Sequence, residues 1–77
     1  MSDHTERILE IISDITNLEK SDIKKDGSWN DNGFDSLDVV ECIMEVEKGF
    51  QIAIPDEESE NMRSVSDLIS YVNKNVK

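Results

Sequence analysis

Ser36 stands between two acids, in the run Gly33-Phe34-Asp35-Ser36-Leu37-Asp38, at the head of an apolar pattern with helical spacing. Two kinds of chemistry suit that arrangement. In the first, Asp35 caps a helix, Asp38 reaches back in a capping-box arrangement, and Ser36 sits exposed at the first helical position. In the second, Ser36 is an attachment point: an exposed hydroxyl on a rigid element, to which another enzyme joins a group through a phosphodiester. The free N–H groups and positive dipole of a helix N-terminus favour such an anion by about 0.3–1 kcal/mol at a surface. Asp35 and Asp38 would repel the same anion, so in this reading they serve another purpose, and marking the site for a basic partner is the natural one.

Few other residues could act as catalysts. A hydrolase needs a nucleophile, a base and an orienting group, but the only histidine, His4, lies near the N-terminus and is expected on the solvated surface. Cys42 is the single cysteine. It has no histidine in predictable proximity, and it reads as helix packing or as a surface thiol. No intramolecular disulfide is possible, and the Cys/His spacing of a metal site is absent. Ser28, Asn30, Asn32 and Gly33 imitate the first half of an EF-hand loop, but Asp is missing at its first position and Val39 stands where the twelfth-position Glu belongs. At most, the carboxylates around Asp31, Asp35 and Asp38 would attract a divalent ion loosely.

The element that must present Ser36 is a helix over 36–50. Val40, Ile43, Met44 and Phe50 recur at helical spacing with Leu37 and Val46 on the flanks, and Asp38, Glu41, Glu45 and Lys48 fall opposite. Glu47 lands inside the apolar arc, which the pattern does not explain. Before it, residues 5–16 form an amphipathic helix in which Ile8, Ile11, Ile12 and Ile15 make the stripe and Leu9 flanks it. Residues 17–34 show no period and carry turn signals at Gly27 and Gly33. So long a loop is either functional or pinned to the helices by Leu18, Ile23 and Trp29, and both are expected. Residues 51–54 could pass for a strand, but no partner strand exists, so an extended linker is expected. Pro55 then opens a short acidic helix over about 56–61. Ser64 and Asp67 make an S-x-x-D cap ahead of a last helix bearing Val65, Leu68, Ile69, Val72 and Val76, with Tyr71 near its apolar face and Lys74 and Lys77 near its end.

Length and charge narrow the functions available. A 77-residue chain makes one domain, 1–77, with a thin core, since folding at this size buries roughly 60% of the unfolded surface. A deep catalytic cleft would not fit, which favours a binding, carrier or adaptor module over an enzyme. The net charge is -10. It is concentrated: residues 35–60 hold nine acids and one base, while residues 61–77 hold one acid and three bases. Such a surface repels nucleic acid and anionic membranes. It suits basic patches on other proteins, chiefly by speeding encounter, and it also simply maintains solubility and favours a monomer. No apolar run approaches the ~20 residues that span a bilayer, so no membrane insertion is expected. The N-terminus lacks the basic and apolar regions of a signal peptide, which fits a cytoplasmic protein.

The sequence resembles the acyl carrier proteins. Asp35-Ser36-Leu37 matches the family's attachment motif, Asp38-Val39-Val40-Glu41 continues it, Ile54-Pro55-Asp56-Glu57 matches the segment entering the third helix, and Ser64 through Val72 looks like the last helix. The resemblance covers essentially the whole chain. It implies an all-α fold, a small right-handed four-helix bundle of three longer helices and one short one with a long first loop. It also implies 4'-phosphopantetheine, drawn from coenzyme A by a phosphopantetheinyl transferase, esterified to Ser36 beside Asp35 and Leu37. Acyl chains would ride on the arm as thioesters, handed between the basic docking patches of fatty-acid or related biosynthetic enzymes, and no residue of this chain need be a catalyst. Partner contacts would be Asp35, Asp38, Glu41, Glu47, Asp56 and Glu60. Val40, Ile43, Val46, Ile54, Met62 and Leu68 would line an acyl cavity, or equally form ordinary core.

The chain departs from the family pattern at Ser28, where an apolar residue is usual, at Asn32, where leucine is, and at Phe34, where alanine is frequent. Trp29 is expected to replace the missing bulk. Lys48 interrupts the acidic face and Cys42 stands where leucine is common. These changes bear on which acyl group and which enzymes are served. A specialised polyketide, aminoacyl or peptidyl carrier is the alternative within the family, and an unmodified acidic interaction module is the alternative outside it.

Overall fold

The structure, a computed structural model, describes residues 3–76. Four α-helices follow one another: α1 (Thr5–Thr16), α2 (Ser36–Phe50), α3 (Asp56–Glu60) and α4 (Val65–Asn75). Two 3₁₀ turns, Lys20–Asp22 and Asn30–Asn32, punctuate the long connection between α1 and α2. No strand forms among the described residues. After the left-handed Gln51, residues 52–54 run as a linker without regular structure, and the only backbone pairing of β type among the described residues is an isolated bridge between Ser28 and Ser64.

One core joins the layers. α1 contributes Ile8, Leu9 and Ile12, α2 contributes Cys42, Ile43 and Val46, and α4 contributes Val65, Leu68 and Val72. α3 buries none of its residues. Ile54 and Met62, on either side of it, enter the core in its place. On α1 the buried face is turned toward Leu9, while Ile11 and Ile15 lie at the margin. α4 ends at Asn75, so Val76 packs against the core from beyond the helix. Pro55 precedes the first helical residue of α3, with ψ 148°.

α2 differs most from its pattern. Its core side is Val39, Cys42, Ile43, Val46 and Phe50. Leu37, Val40 and Met44 face outward, 65%, 50% and 49% exposed. The helix carries apolar residues around more than half its circumference, so periodicity alone does not say which stripe turns inward. Glu47 is explained by the linker. Its backbone carbonyl accepts the Ile52 N–H at 3.0 Å and its carboxylate accepts the Ile54 N–H at 2.7 Å. An acid inside the apolar arc thereby satisfies a chain segment with no ladder of its own.

His4 is part-buried instead of solvated. Its ring meets Phe50 edge-on at 5.0 Å, its Nε2 lies 3.3 Å from the Val76 carbonyl, and its backbone N–H donates to Asn73. The start of α1 and the end of α4 are thus tied together, with Phe50 of α2 against the His4 ring. Asp3, just before the N-cap residue His4, accepts the Thr5 N–H at 2.8 Å and so satisfies one of the free amides at the start of α1.

Candidate functional site

The first turn of α2 holds Ser36 through a complete capping box. The Asp38 N–H donates to the Asp35 carboxylate at 2.9 Å, and the Asp35 N–H donates to the Asp38 carboxylate at 3.3 Å. Both acids are therefore turned onto the helix start, where the macrodipole favours negative charge. Ser36 is the first helical residue and is exposed. The box fixes the backbone that carries the exposed Ser36 side chain.

The approach to the box is built by the end of the long loop. After the 3₁₀ turn Asn30–Asn32, Gly33 adopts φ 80° and its N–H donates to the Asn30 carbonyl at 2.9 Å. This left-handed conformation strains a residue that bears a Cβ. Phe34 then dives into the core and its ring tilts against Trp29, 6.2 Å between centroids.

The polar departures now have reasons. Ser28 and Asp31 cap the same turn reciprocally: the Asp31 N–H donates to the Ser28 hydroxyl and the Ser28 N–H to the Asp31 carboxylate. Asn32 donates to the Lys24 and Ser28 carbonyls and accepts the Lys24 N–H at 2.6 Å, stapling the loop. Of the side chains that imitated a calcium loop, those of Ser28 and Asn32 are committed to backbone. Trp29 is buried, and its indole N–H donates to the Met62 carbonyl at 2.9 Å. The Trp29 N–H donates to the Arg63 carbonyl at 3.2 Å and the Ser66 N–H to the Lys25 carbonyl at 2.9 Å. The long loop is thereby locked onto the α3–α4 connection, pinned by Ile23 and Trp29 in the core with Leu18 beside it.

A groove of about 440 Å³ opens beside Ser36. Val39, Val40 and Ile43 of α2 and the rings of Trp29 and Phe34 line it on the apolar side, and Ser59, Glu60 and Arg63 come from α3 and the connection after it. Of the residues expected around an acyl cavity, Val40 and Ile43 line this groove. Val46, Ile54, Met62 and Leu68 do not; all four are buried in the core. Trp29, Phe34, Val39 and Arg63 are groove residues that the sequence pattern did not mark as such. Trp29 stands out in the sequence only as an anchor of the loop, and Phe34 only as a departure from the family pattern. Of the expected partner contacts, Asp35, Glu41, Asp56 and Glu60 are exposed, Asp38 is half-buried in the box, and Glu47 is occupied by the linker.

Cys42 takes no part in chemistry here. It is fully buried. Burial first, then the negative charges of Asp38 and Glu41, push its thiol from the ordinary 9.0 up to about 12. It is a packed neutral side chain, inert as a nucleophile.

Residues 6–72 match the family described as "Phosphopantetheine attachment site". Over the whole length of both chains, 78 aligned residues, the sequence is 38% identical to proteins named "Acyl carrier protein" from two strains of Porphyromonas gingivalis. No helix among the described residues is long and apolar enough to cross a membrane.

Proposed function

The chain belongs to the phosphopantetheine-bearing acyl carrier protein family, and on that premise we propose that Ser36 is the residue that bears the arm. The protein is a carrier of acyl groups and not an enzyme, and its cofactor is covalently bound 4'-phosphopantetheine. When bound, that group supplies a thiol whose thioesters are activated for acyl transfer and acidified at the neighbouring carbon for condensation.

The observation that carries the assignment to Ser36 is its exposure at the first position of α2, beside an apolar groove, on a backbone locked by the Asp35–Asp38 box. The residues present fit the group. The hydroxyl is accessible to a transferase, and the helix N-terminus offers N–H groups to a phosphate. The groove offers an apolar wall to whatever lies along it. Asp35 and Asp38 hold the hydroxyl's direction, and Leu37, exposed next to it, gives a docking enzyme an apolar contact.

The partner face is α2 with the acids beside it: Asp35, Asp38, Glu41, Asp56 and Glu60, joined by the outward stripe Leu37, Val40 and Met44. A transferase and acyl-processing enzymes with basic patches suit such a face. We read residues 1–77 as one carrier domain, monomeric and cytoplasmic, serving fatty-acid or related biosynthesis. The test is acyl loading of the modified protein from an acyl-coenzyme A by a transacylase. Label that neutral hydroxylamine removes should appear on the wild type and be absent from Ser36→Ala with its helix content unchanged. Loading retained by Ser36→Ala would refute the assignment.

A further inference from the structure

The groove beside Ser36 has one basic side chain in its lining, Arg63, and two acids, Asp35 and Glu60. Asp35 is already bonded to the Asp38 amide. Arg63 itself is exposed and enters neither of the ion pairs found among the described residues, Lys20–Glu6 and Lys48–Glu45. Its backbone is nevertheless fixed: its N–H donates to the Asp67 carboxylate at 2.9 Å and its carbonyl accepts the Trp29 N–H at 3.2 Å. A cation just beyond the acidic helix α3 thus lines the same groove as the Ser36 hydroxyl, its guanidinium in neither of those ion pairs.

We propose that Arg63 is a positioning residue for the phosphodiester carried on Ser36. The inference rests on Ser36 as the attachment site. The diester brings an anion into a groove whose other charges, Asp35 and Glu60, repel it. Arg63 alone among the lining residues offsets that repulsion, and its planar fork matches two phosphate oxygens as an ammonium does not. Anchored at its anionic end, the body of the arm lies along the apolar wall of Trp29, Phe34 and Val40 instead of swinging freely from the helix tip.

The experiment compares ¹⁵N-labelled apo protein with protein fully modified by a phosphopantetheinyl transferase, intact mass establishing one arm per chain. The Arg63 Nε–Hε resonance should shift on modification, and its exchange with water should slow severalfold. Geminal methyls of the arm should give nuclear Overhauser contacts to the Trp29 and Phe34 rings. In modified Arg63→Gln these contacts should be lost, with the Trp29 indole N–H resonance still marking an intact loop. Arg63→Lys should retain them in part, and Lys48→Gln, which removes an equal charge elsewhere, should retain them fully. An Arg63 resonance indifferent to modification, or contacts that survive Arg63→Gln, would overturn the proposal while leaving the carrier assignment standing. Wild type that gains no mass would overturn that assignment and this inference with it.

Discussion

Asp35 and Asp38 close the capping box of α2, and on the proposed reading they also flank the attachment point. An acid beside a future phosphate is a cost unless something compensates it. Here each carboxylate accepts the other residue's amide, so the charge that would repel a diester on Ser36 also fixes the backbone beneath it. Asp35→Ala should cost about 0.5–2 kcal/mol of stability, read from a denaturant midpoint. The capping box was legible in the sequence because it depends on a three-residue spacing. The commitments of Glu47 to the linker and of Asn32 to the loop at Lys24 and Ser28 were not, because they join segments that no local pattern relates. Cys42 was left open between packing and surface thiol, and the structure settles it as packing. It should resist thiol reagents in the native protein at pH 8 and react at once in denaturant. Its raised pKa also has a stability consequence with a definite sign. The unfolded thiol ionises from about pH 9 while the folded one stays protonated to about 12, so stability falls as pH rises through that window. Cys42→Ala should flatten that part of the profile.

At the scale of elements, α2 serves two surfaces and the long loop serves one. The helix sends Val39, Cys42, Ile43, Val46 and Phe50 inward and shows Leu37, Val40 and Met44 outward. Its existence and bounds followed from periodicity and the cap. Its inward face did not, since two adjacent apolar stripes fit the same period. The difference is measurable. Leu68→Ala, in the core, should cost about 2–5 kcal/mol, whereas Val40→Ala should stay within about 0.5 kcal/mol and act on partners instead. In the loop, composition announced turns and three apolar anchors. Its lock onto the α3–α4 connection, through Trp29 to Met62 and the Ser28–Ser64 bridge, is non-local and left no trace in spacing. Trp29→Phe keeps the ring and removes the indole N–H. It should cost about 1–3 kcal/mol by leaving a buried carbonyl without that donor.

For the whole molecule, charge is the governing quantity. A net charge of -10 on 77 residues is opposed among the described residues by two exposed ion pairs at 3.7 and 3.5 Å, which contribute little. Self-repulsion should therefore outweigh attraction. Raising salt from about 10 to 150 mM, which shortens the screening length from ~30 to ~8 Å, should raise the Tm while weakening affinity for basic partner enzymes. On the proposed reading, the same imbalance makes the acids of α2 and α3 an address and leaves Arg63, in the lining of the groove that Ser36 also lines, as the exception. The proposed attachment of the arm is to Ser36, exposed at the head of α2. The most direct measurement is the intact mass of apo protein after incubation with coenzyme A and a broad-specificity phosphopantetheinyl transferase, with Ser36→Ala alongside. Gain of one phosphopantetheine by the wild type alone is the predicted result. No gain by either, with an enzyme active on other carriers, or an equal gain by Ser36→Ala, would contradict it.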